Sequence, residues 1–323
     1  MNSEIIVEPI GFASSNGYTQ IKGKIWSLPA YLANDGALPK PAGIVQLVHG
    51  MCEYIDRYDD FARFLATNGF VVCGHDQIGH GDSVASPAEF GDINAPEGKD
   101  NMLADVDTLR KLVSERFDKD TPYILFGHSM GSFVARCYIG KYGEGLSGAI
   151  ICGTGNVPAA ASSFGKMIAN HLVKSKGQGY KSSFLEGLST GAYGKAIKDA
   201  RTDKDWLSYN EKNVDKYIAD ERCGFSFTAG GYVALMSLTG ECVSSECVQG
   251  QPKDMPVFVI SGAEDPVGSN GKGPLAAAKA MKDAGVADVE VKIYEHMRHE
   301  ILNETDHRVV YDDILAWIKS HVL

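Results

Sequence analysis

Tyr123-Ile124-Leu125-Phe126-Gly127-His128-Ser129-Met130-Gly131 decides the reading of this chain. Four apolar residues run straight into a Gly-x-Ser-x-Gly turn, and the apolar stretch Phe133 to Tyr142 follows at helical spacing. That is strand, tight turn, helix. A serine on such a turn is held in a strained backbone conformation that lifts its hydroxyl above the sheet. The glycines on either side are expected because a side chain there would strike the neighbouring helix or strand. Ser129 is therefore the candidate nucleophile.

The motif occurs twice. Gly187-Leu188-Ser189-Thr190-Gly191 also fits, but it follows Ser182-Ser183-Phe184-Leu185-Glu186, which has no buried-strand character. Structural context is what gives the motif meaning, and it favours Ser129 over Ser189.

Working outward, further short apolar runs flanked by turn residues lie at Gly43 to Val48, Phe70 to Cys73, Ala149 to Cys152, Val257 to Ile260 and, more alternating, Val289 to Tyr294. Continuous short runs of this kind predict strands buried on both faces of a parallel sheet. Helical spacing separates them. Tyr58, Phe61 and Leu65 form one inward stripe, ended by Gly69. Asp100 is placed to cap a second helix carrying Leu103, Val106, Leu109, Val113 and Phe117 inward, stopped before Pro122. Alternating strands and helices predict a doubly wound, mostly parallel α/β sheet. A hairpin around Tyr18 to Leu28 is expected to add antiparallel strands at one edge.

The alternation lapses from about Gly155 to Pro252, where amphipathic helical segments and glycine-rich turns carry Phe164, Met167, Leu185, Trp206, Tyr217, Phe227 and Leu235. The expected organisation is a first part of the core over 1–154, a helical cap inserted between two core strands over 155–252, and the second part of the core over 253–323.

An acid and a base should follow the serine, each on a loop at the C-terminal end of a strand. The strand Val257 to Ile260 leads into Ser261-Gly262-Ala263-Glu264-Asp265-Pro266. Asp265 is the candidate acid, and the adjacent Glu264 reads as a solvated loop charge. The strand Val289 to Tyr294 leads into Glu295-His296-Met297-Arg298-His299-Glu300. His299, further out on the loop, is the candidate base, and His296 is expected to pack or bond structurally. A free serine hydroxyl is a poor nucleophile, so an imidazole must take its proton during attack and a carboxylate must hold that imidazole in the right tautomer. The backbone N–H groups of Met51, after the first buried strand, and of Met130, after the serine, are the expected oxyanion donors.

Composition bounds the rest. The 323 residues are 44% hydrophobic with a formal charge of −10, so counterion release on a nucleic acid offers no affinity and no nucleic-acid partner is expected. Met1 to Phe12 has Glu4 and Glu8 where a signal peptide would be apolar, and no run of about eighteen apolar residues suggests a membrane span. Seven cysteines in no metal or redox spacing read as small core residues of a cytoplasmic protein. No cofactor and no metal are expected.

With these residues in place, the chain resembles the α/β-hydrolase family, more narrowly its monoacylglycerol lipase and lysophospholipase branch. The resemblance rests on His49-Gly50-Met51-Cys52-Glu53-Tyr54-Ile55-Asp56-Arg57-Tyr58, Asp76 to Ser83, the Gly127 to Gly131 turn, Phe225 to Thr228, Gly262 to Gly268 and Arg298 to Glu304. Two positions depart from the pattern: Ser132, where another glycine is frequent, and Tyr54, where a histidine is common. The resemblance implies an α/β-hydrolase fold and a serine carboxylic-ester hydrolase acting on a monoacylglycerol, lysophospholipid or similar monoacyl ester, with at most transient contact between cap and membrane or micelle. An amide- or peptide-cleaving enzyme on the same core is the alternative, and a non-catalytic ligand-binding hydrolase fold is a further one. Glu53 and Arg57, four apart, read as a helix-surface pair. The Asp76 to Ser83 loop is expected to brace the active-site loops, and His128 to pack.

Overall fold

Among the described residues, eight strands form one sheet: β1 (Ile6–Ala13), β2 (Gln20–Ser27), β3 (Gly43–Val48), β4 (Phe70–His75), β5 (Tyr123–His128), β6 (Gly148–Cys152), β7 (Val257–Gly262) and β8 (Val289–Tyr294). The structure, a computed structural model, describes residues 4–31 and 40–323, so the first three residues of the opening segment lie outside it. The spatial order is β1-β2-β4-β3-β5-β6-β7-β8. β1 pairs antiparallel with β2, and β2 antiparallel with β4; from β4 to β8 every pairing is parallel. The expected hairpin exists at that edge, but its first arm is Ile6–Ala13, and Tyr18 falls in the turn. Only Phe12 of this strand is buried, with Val7, Glu8 and Ile10 half-buried, so its alternation is too weak to announce a strand on its own.

Among the described residues, ten α-helices accompany the sheet: α1 (Asp59–Thr67), α2 (Gly98–Ser114), α3 (Met130–Tyr142), α4 (Ala159–Lys176), α5 (Ser183–Ser189), α6 (Glu211–Ala219), α7 (Ala229–Glu241), α8 (Ser245–Gln249), α9 (Lys272–Asp283) and α10 (His307–His321). Gly69, at φ 92°, follows α1 where the chain must turn left-handed, as its position predicts. α2 starts earlier than expected. Glu97 is its cap residue, and Asp100 sits in the first turn, where its charge meets the positive end of the helix dipole. The helix also ends at Ser114, so Phe117 packs against the core from beyond it.

Period-two alternation along the strands splits the interior into two layers. Leu47, Phe126 and Phe258 face α1 and α10, meeting Phe61, Leu65, Ile314 and Trp317. Ile44, Leu125 and Val259 face the other way, toward Leu103 and Val106 of α2, Val134 of α3 and Met281 of α9. Between β6 and β7 lie α4 to α8, with no strand among the described residues. α7 roots this region in the core through Tyr232, Val233 and Leu238, and α4 packs along it. A smaller cluster of Tyr54, Trp206, Leu207, Tyr217 and Cys223 joins the same region to the loop after β3.

The chain runs from β3 outward to β4 on one side, then to β5 on the other. The loops after β3 and β5 therefore flank the topological switch point, the crevice where open α/β sheets hold ligands. All seven cysteines are buried and free. Among the described residues no helix is long and apolar enough to cross a membrane.

Candidate active site

Ser129 stands between β5 and α3 with φ 54° and ψ −121°, a conformation that costs a residue with a side chain of order 1–3 kcal/mol. The flanking glycines are what make the turn possible. A Cβ on Gly127 would lie 2.3 Å from the Gly131 carbonyl oxygen and 2.7 Å from Ala135 of α3; one on Gly131 would lie 2.1 Å from the Val48 carbonyl oxygen at the end of β3. Helix and strand are therefore the two obstacles. The backbone of Ser129 is pinned on both sides: its N–H donates to the Cys152 carbonyl at 3.0 Å, and its carbonyl accepts the Ser132 hydroxyl at 2.5 Å. Ser132, the departure from glycine, thus ties down the turn. The Ser129 hydroxyl itself makes no hydrogen bond among the described residues and lines a cavity of about 330 Å³.

His299 lines the same cavity, with Asp265 buried behind it. The His299 Nδ1–H donates to Asp265 Oδ2 at 3.0 Å, with both groups buried. The other Asp265 oxygen accepts the Val267 N–H at 2.9 Å, and the Ser261 hydroxyl reaches Oδ2 at 3.3 Å, so the carboxylate has one fixed orientation. Glu264 turns outward and bonds the Tyr209 hydroxyl. His299 Nε2 is left facing the cavity. His296 does not pack as expected: its side chain is exposed and its φ is 56°, because the chain turns sharply there on leaving β8. Ser189 ends α5, where its hydroxyl reaches the Glu186 carbonyl and, at 3.4 Å, the Tyr232 hydroxyl. A Cβ on Gly187 would meet nothing within 4 Å, so the first glycine of this second motif has no steric cause, while one on Gly191 would meet only the backbone of its own turn, Gly187 Cα at 2.8 Å.

The loop after β3 closes against the serine, since a Cβ on Gly50 would lie 3.0 Å from Ser129 Cβ. Neither the Met51 nor the Met130 N–H is taken by a backbone or side-chain acceptor outside regular elements, and Met130 opens α3, where no intrahelical acceptor exists. The Asp76 to Ser83 loop braces this region. Asp76 accepts the Ile55 N–H at 2.8 Å, and Gln77 donates its amide to the His49 carbonyl at 2.7 Å.

Glu53 and Arg57 are not a surface pair. Helix α1 starts only at Asp59, and both side chains turn beneath the Gly50 loop, Glu53 buried and Arg57 nearly so, its side chain 10% exposed. Glu53 Oε1 accepts the Gly50 N–H at 2.6 Å and the Tyr58 hydroxyl at 2.7 Å, with His128 Nδ1 at 3.3 Å. Burial alone would raise the Glu53 carboxyl; the His128 hydrogen bond and the Arg57 charge outweigh it and hold the group well below the usual carboxylate range. Burial likewise works against charge on His128, and the Glu53 hydrogen bond and charge overcome it and raise its pKa. His128 does more than pack, because its Nε2 also faces the His299 carbonyl at 3.2 Å.

Apolar side chains build the cavity wall: Met51, Phe133, Val157, Leu188, Leu235 and Met236, with Phe164 near the mouth. Trp206 lies against His299, ring centroids 5.2 Å apart. Sequence reasoning placed Trp206 among cap residues without seeing this contact, and a lone tryptophan in a helical stretch carries no signal of it. Glu300 was equally hidden, although it directly follows the candidate base. Holding a substrate amine would take carboxylates at the cavity; of Glu186, Asp203, Asp205 and Glu211 in the helical stretch, only Glu186 lines it, and Lys204 lines it as well. Asp203 is solvated and Asp205 is spent on Arg201 and Thr202 of its own turn.

A mostly parallel eight-stranded sheet with a strained serine turn at its switch point defines the α/β-hydrolase fold. The chain belongs to the serine aminopeptidase S33 family, whose model matches residues 39–306. The monoacylglycerol lipase of Mycolicibacterium smegmatis is 26% identical over 284 residues, covering 87% of this chain and 90% of the relative. The monoglyceride lipase of Saccharomyces cerevisiae is 26% identical over 289 residues, covering 86% and 85%. A solved carboxyl esterase from Bacillus coagulans, in complex with glycerol, superposes with a TM-score of 0.88 at 32% identity over 99% of this chain and 100% of that one. The chain is a serine hydrolase, an enzyme of ester-cleaving kind.

Proposed function

We propose that the enzyme hydrolyses monoacyl esters (monoacylglycerols, lysophospholipids or close analogues) through Ser129, His299 and Asp265. The observation that carries this is the convergence of the buried His299–Asp265 pair and the strained Ser129 turn on one apolar cavity. Ser129 Oγ attacks the ester carbonyl carbon as its proton passes to His299 Nε2. The Met51 and Met130 N–H groups receive the oxyanion, and one such donor is worth about 3–4 kcal/mol. Collapse expels the alcohol, which takes the proton back from His299, and leaves an acyl-Ser129 ester. Water activated by His299 then releases the fatty acid. Asp265 holds the Nδ1–H tautomer and balances the imidazolium.

Residues 155–252 act as the cap, set between the core parts 1–154 and 253–323. At about 330 Å³ the cavity is at the small end of the roughly 300–1,000 Å³ range of ligand pockets, which favours one acyl chain over the several of a triacylglycerol. Glu53, Glu186, Lys204 and Glu300 give its lining a polar portion suited to a hydrophilic head group. Phe164, Met167, Phe184 and Leu188 stand exposed on α4 and α5, and they suit transient contact with a lipid surface. Seven unpaired cysteines fit a cytoplasmic setting.

The family's description keeps amide cleavage as the second reading, with Glu186 as the one cavity carboxylate from the cap placed to hold an amine. Turnover of monoacylglycerol, triacylglycerol and aminoacyl amides separates the readings. Monoacylglycerol should be cleaved fastest; faster release from the amides would replace the ester reading with the aminopeptidase one.

A further inference from the structure

The Arg57 guanidinium lies where three parts of the molecule meet. Its Nη1 donates to Glu53 Oε2 at 2.7 Å and to Glu300 Oε1 at 2.6 Å, and its Nη2 donates to Glu300 Oε2 at 2.7 Å. Glu53 in turn fixes the Gly50 peptide, next to the Met51 N–H, and Glu300 directly follows His299. From the cap side, Asn213 of α6 accepts from Arg57 at 3.2 Å and donates to Glu300 Oε2 at 2.6 Å, while the Tyr217 ring lies 4.9 Å from the guanidinium. A planar two-pronged grip of this sort sets orientation as well as distance, which a point charge would not.

Resting on the Ser129–His299–Asp265 reading, we propose that Arg57 is a positioning residue of the reaction. It holds the loop that carries the Met51 oxyanion donor in fixed relation to the loop that carries His299. The two loops belong to segments 243 residues apart; Arg57 ties them with a charged fork, and the His128 ring also meets Glu53 on one and the His299 carbonyl on the other. Its contribution is made when charge develops on the carbonyl oxygen, so it acts on turnover and leaves ground-state binding in the apolar cavity unchanged.

The test is steady-state hydrolysis of a medium-chain nitrophenyl ester by wild type, Arg57→Met, Arg57→Lys, Glu300→Gln and Ser129→Ala, each checked by thermal melting. In Arg57→Met, kcat should fall on the order of 10²-fold with KM within about twofold, as expected of misplaced catalytic groups. Arg57→Lys should recover part of that loss, since it keeps the charge and loses the fork. Glu300→Gln keeps the Arg57–Glu53 pair but sets an amide donor against Arg57 or Asn213, and its kcat should fall about tenfold. Should Arg57→Met not fold, Glu300→Gln and Arg57→Lys carry the test. Unchanged kcat in the folded variants, or a loss expressed in KM alone, overturns the proposal. Activity that survives Ser129→Ala removes the nucleophile reading itself; activity lost there but untouched in Glu300→Gln removes the Arg57 proposal alone.

Discussion

His299 Nδ1 and Asp265 Oδ2 lie 3.0 Å apart at the ends of two neighbouring strands, with 2% and 0% of the two residues exposed. A carboxylate accepting there sets the Nδ1–H tautomer of the histidine, with the lone pair on Nε2; His299 and Ser129 line the same cavity. Asp265→Asn reverses that tautomer while keeping the shape, and kcat should drop on the order of 10⁴-fold. Glu264→Gln, one residue away on the outward side, should leave kcat within about twofold, in the range of surface changes. Parallel kinetics on the two folded variants check this, and equal losses would contradict it.

Gly131 of the first Gly-x-Ser-x-Gly motif and Gly187 of the second should respond oppositely to alanine. Gly131→Ala places a methyl 2.1 Å from the Val48 carbonyl and should unfold the turn or abolish activity. Gly187 lies within α5 with open space around its Cβ position, so Gly187→Ala should preserve activity and raise stability by up to about 1 kcal/mol. Urea unfolding with an ester assay reads both.

Stability should vary with pH through the buried charges under the Gly50 loop. Glu53 and Glu300 have lowered folded pKa values, so their contribution is present above about 4.3, the unfolded value, and is lost as pH falls through the folded ones. For Glu300, burial opposes the shift, and the Arg57 charge and hydrogen bond drive it. His128 has a raised pKa, so its contribution is full below about 6.5 and disappears as pH rises through the folded value. Urea midpoints should therefore fall at both ends, and His128→Gln should flatten the alkaline side and also weaken the acid-side fall, because His128 helps hold the Glu53 pKa down.

Met167 and Phe184 are 59% and 60% exposed and do not line the cavity. Replacing both with serine should weaken hydrolysis of monoacylglycerol in vesicles, through the apparent KM, and leave a soluble short-chain ester untouched. Equal behaviour on both substrates would place membrane contact elsewhere.

The parallel strands, the switch point and the Ser129 turn were legible because short apolar runs and a glycine-framed serine are local patterns, and each has a local cause. The first hairpin arm was not, since Ile6–Ala13 is an edge strand with little to bury on one side. Asp100 looked like a cap because side-chain type cannot tell a cap from a first turn. Most instructive is Arg57. Spacing gave it Glu53 as a helix neighbour, whereas burial beside Glu300 is decided by how β3 and β8 bring their loops together across the sheet. The same holds for Trp206 on His299.

The nucleophile is the centre of the account, and an alkyl fluorophosphonate tests it most directly. Folded enzyme is labelled, digested and mapped by mass spectrometry, beside Ser129→Ala and Ser189→Ala. The account predicts one adduct on the peptide bearing Ser129, absent from Ser129→Ala and undiminished in Ser189→Ala. An adduct on Ser189, or ester hydrolysis that persists in unlabelled Ser129→Ala, would contradict it.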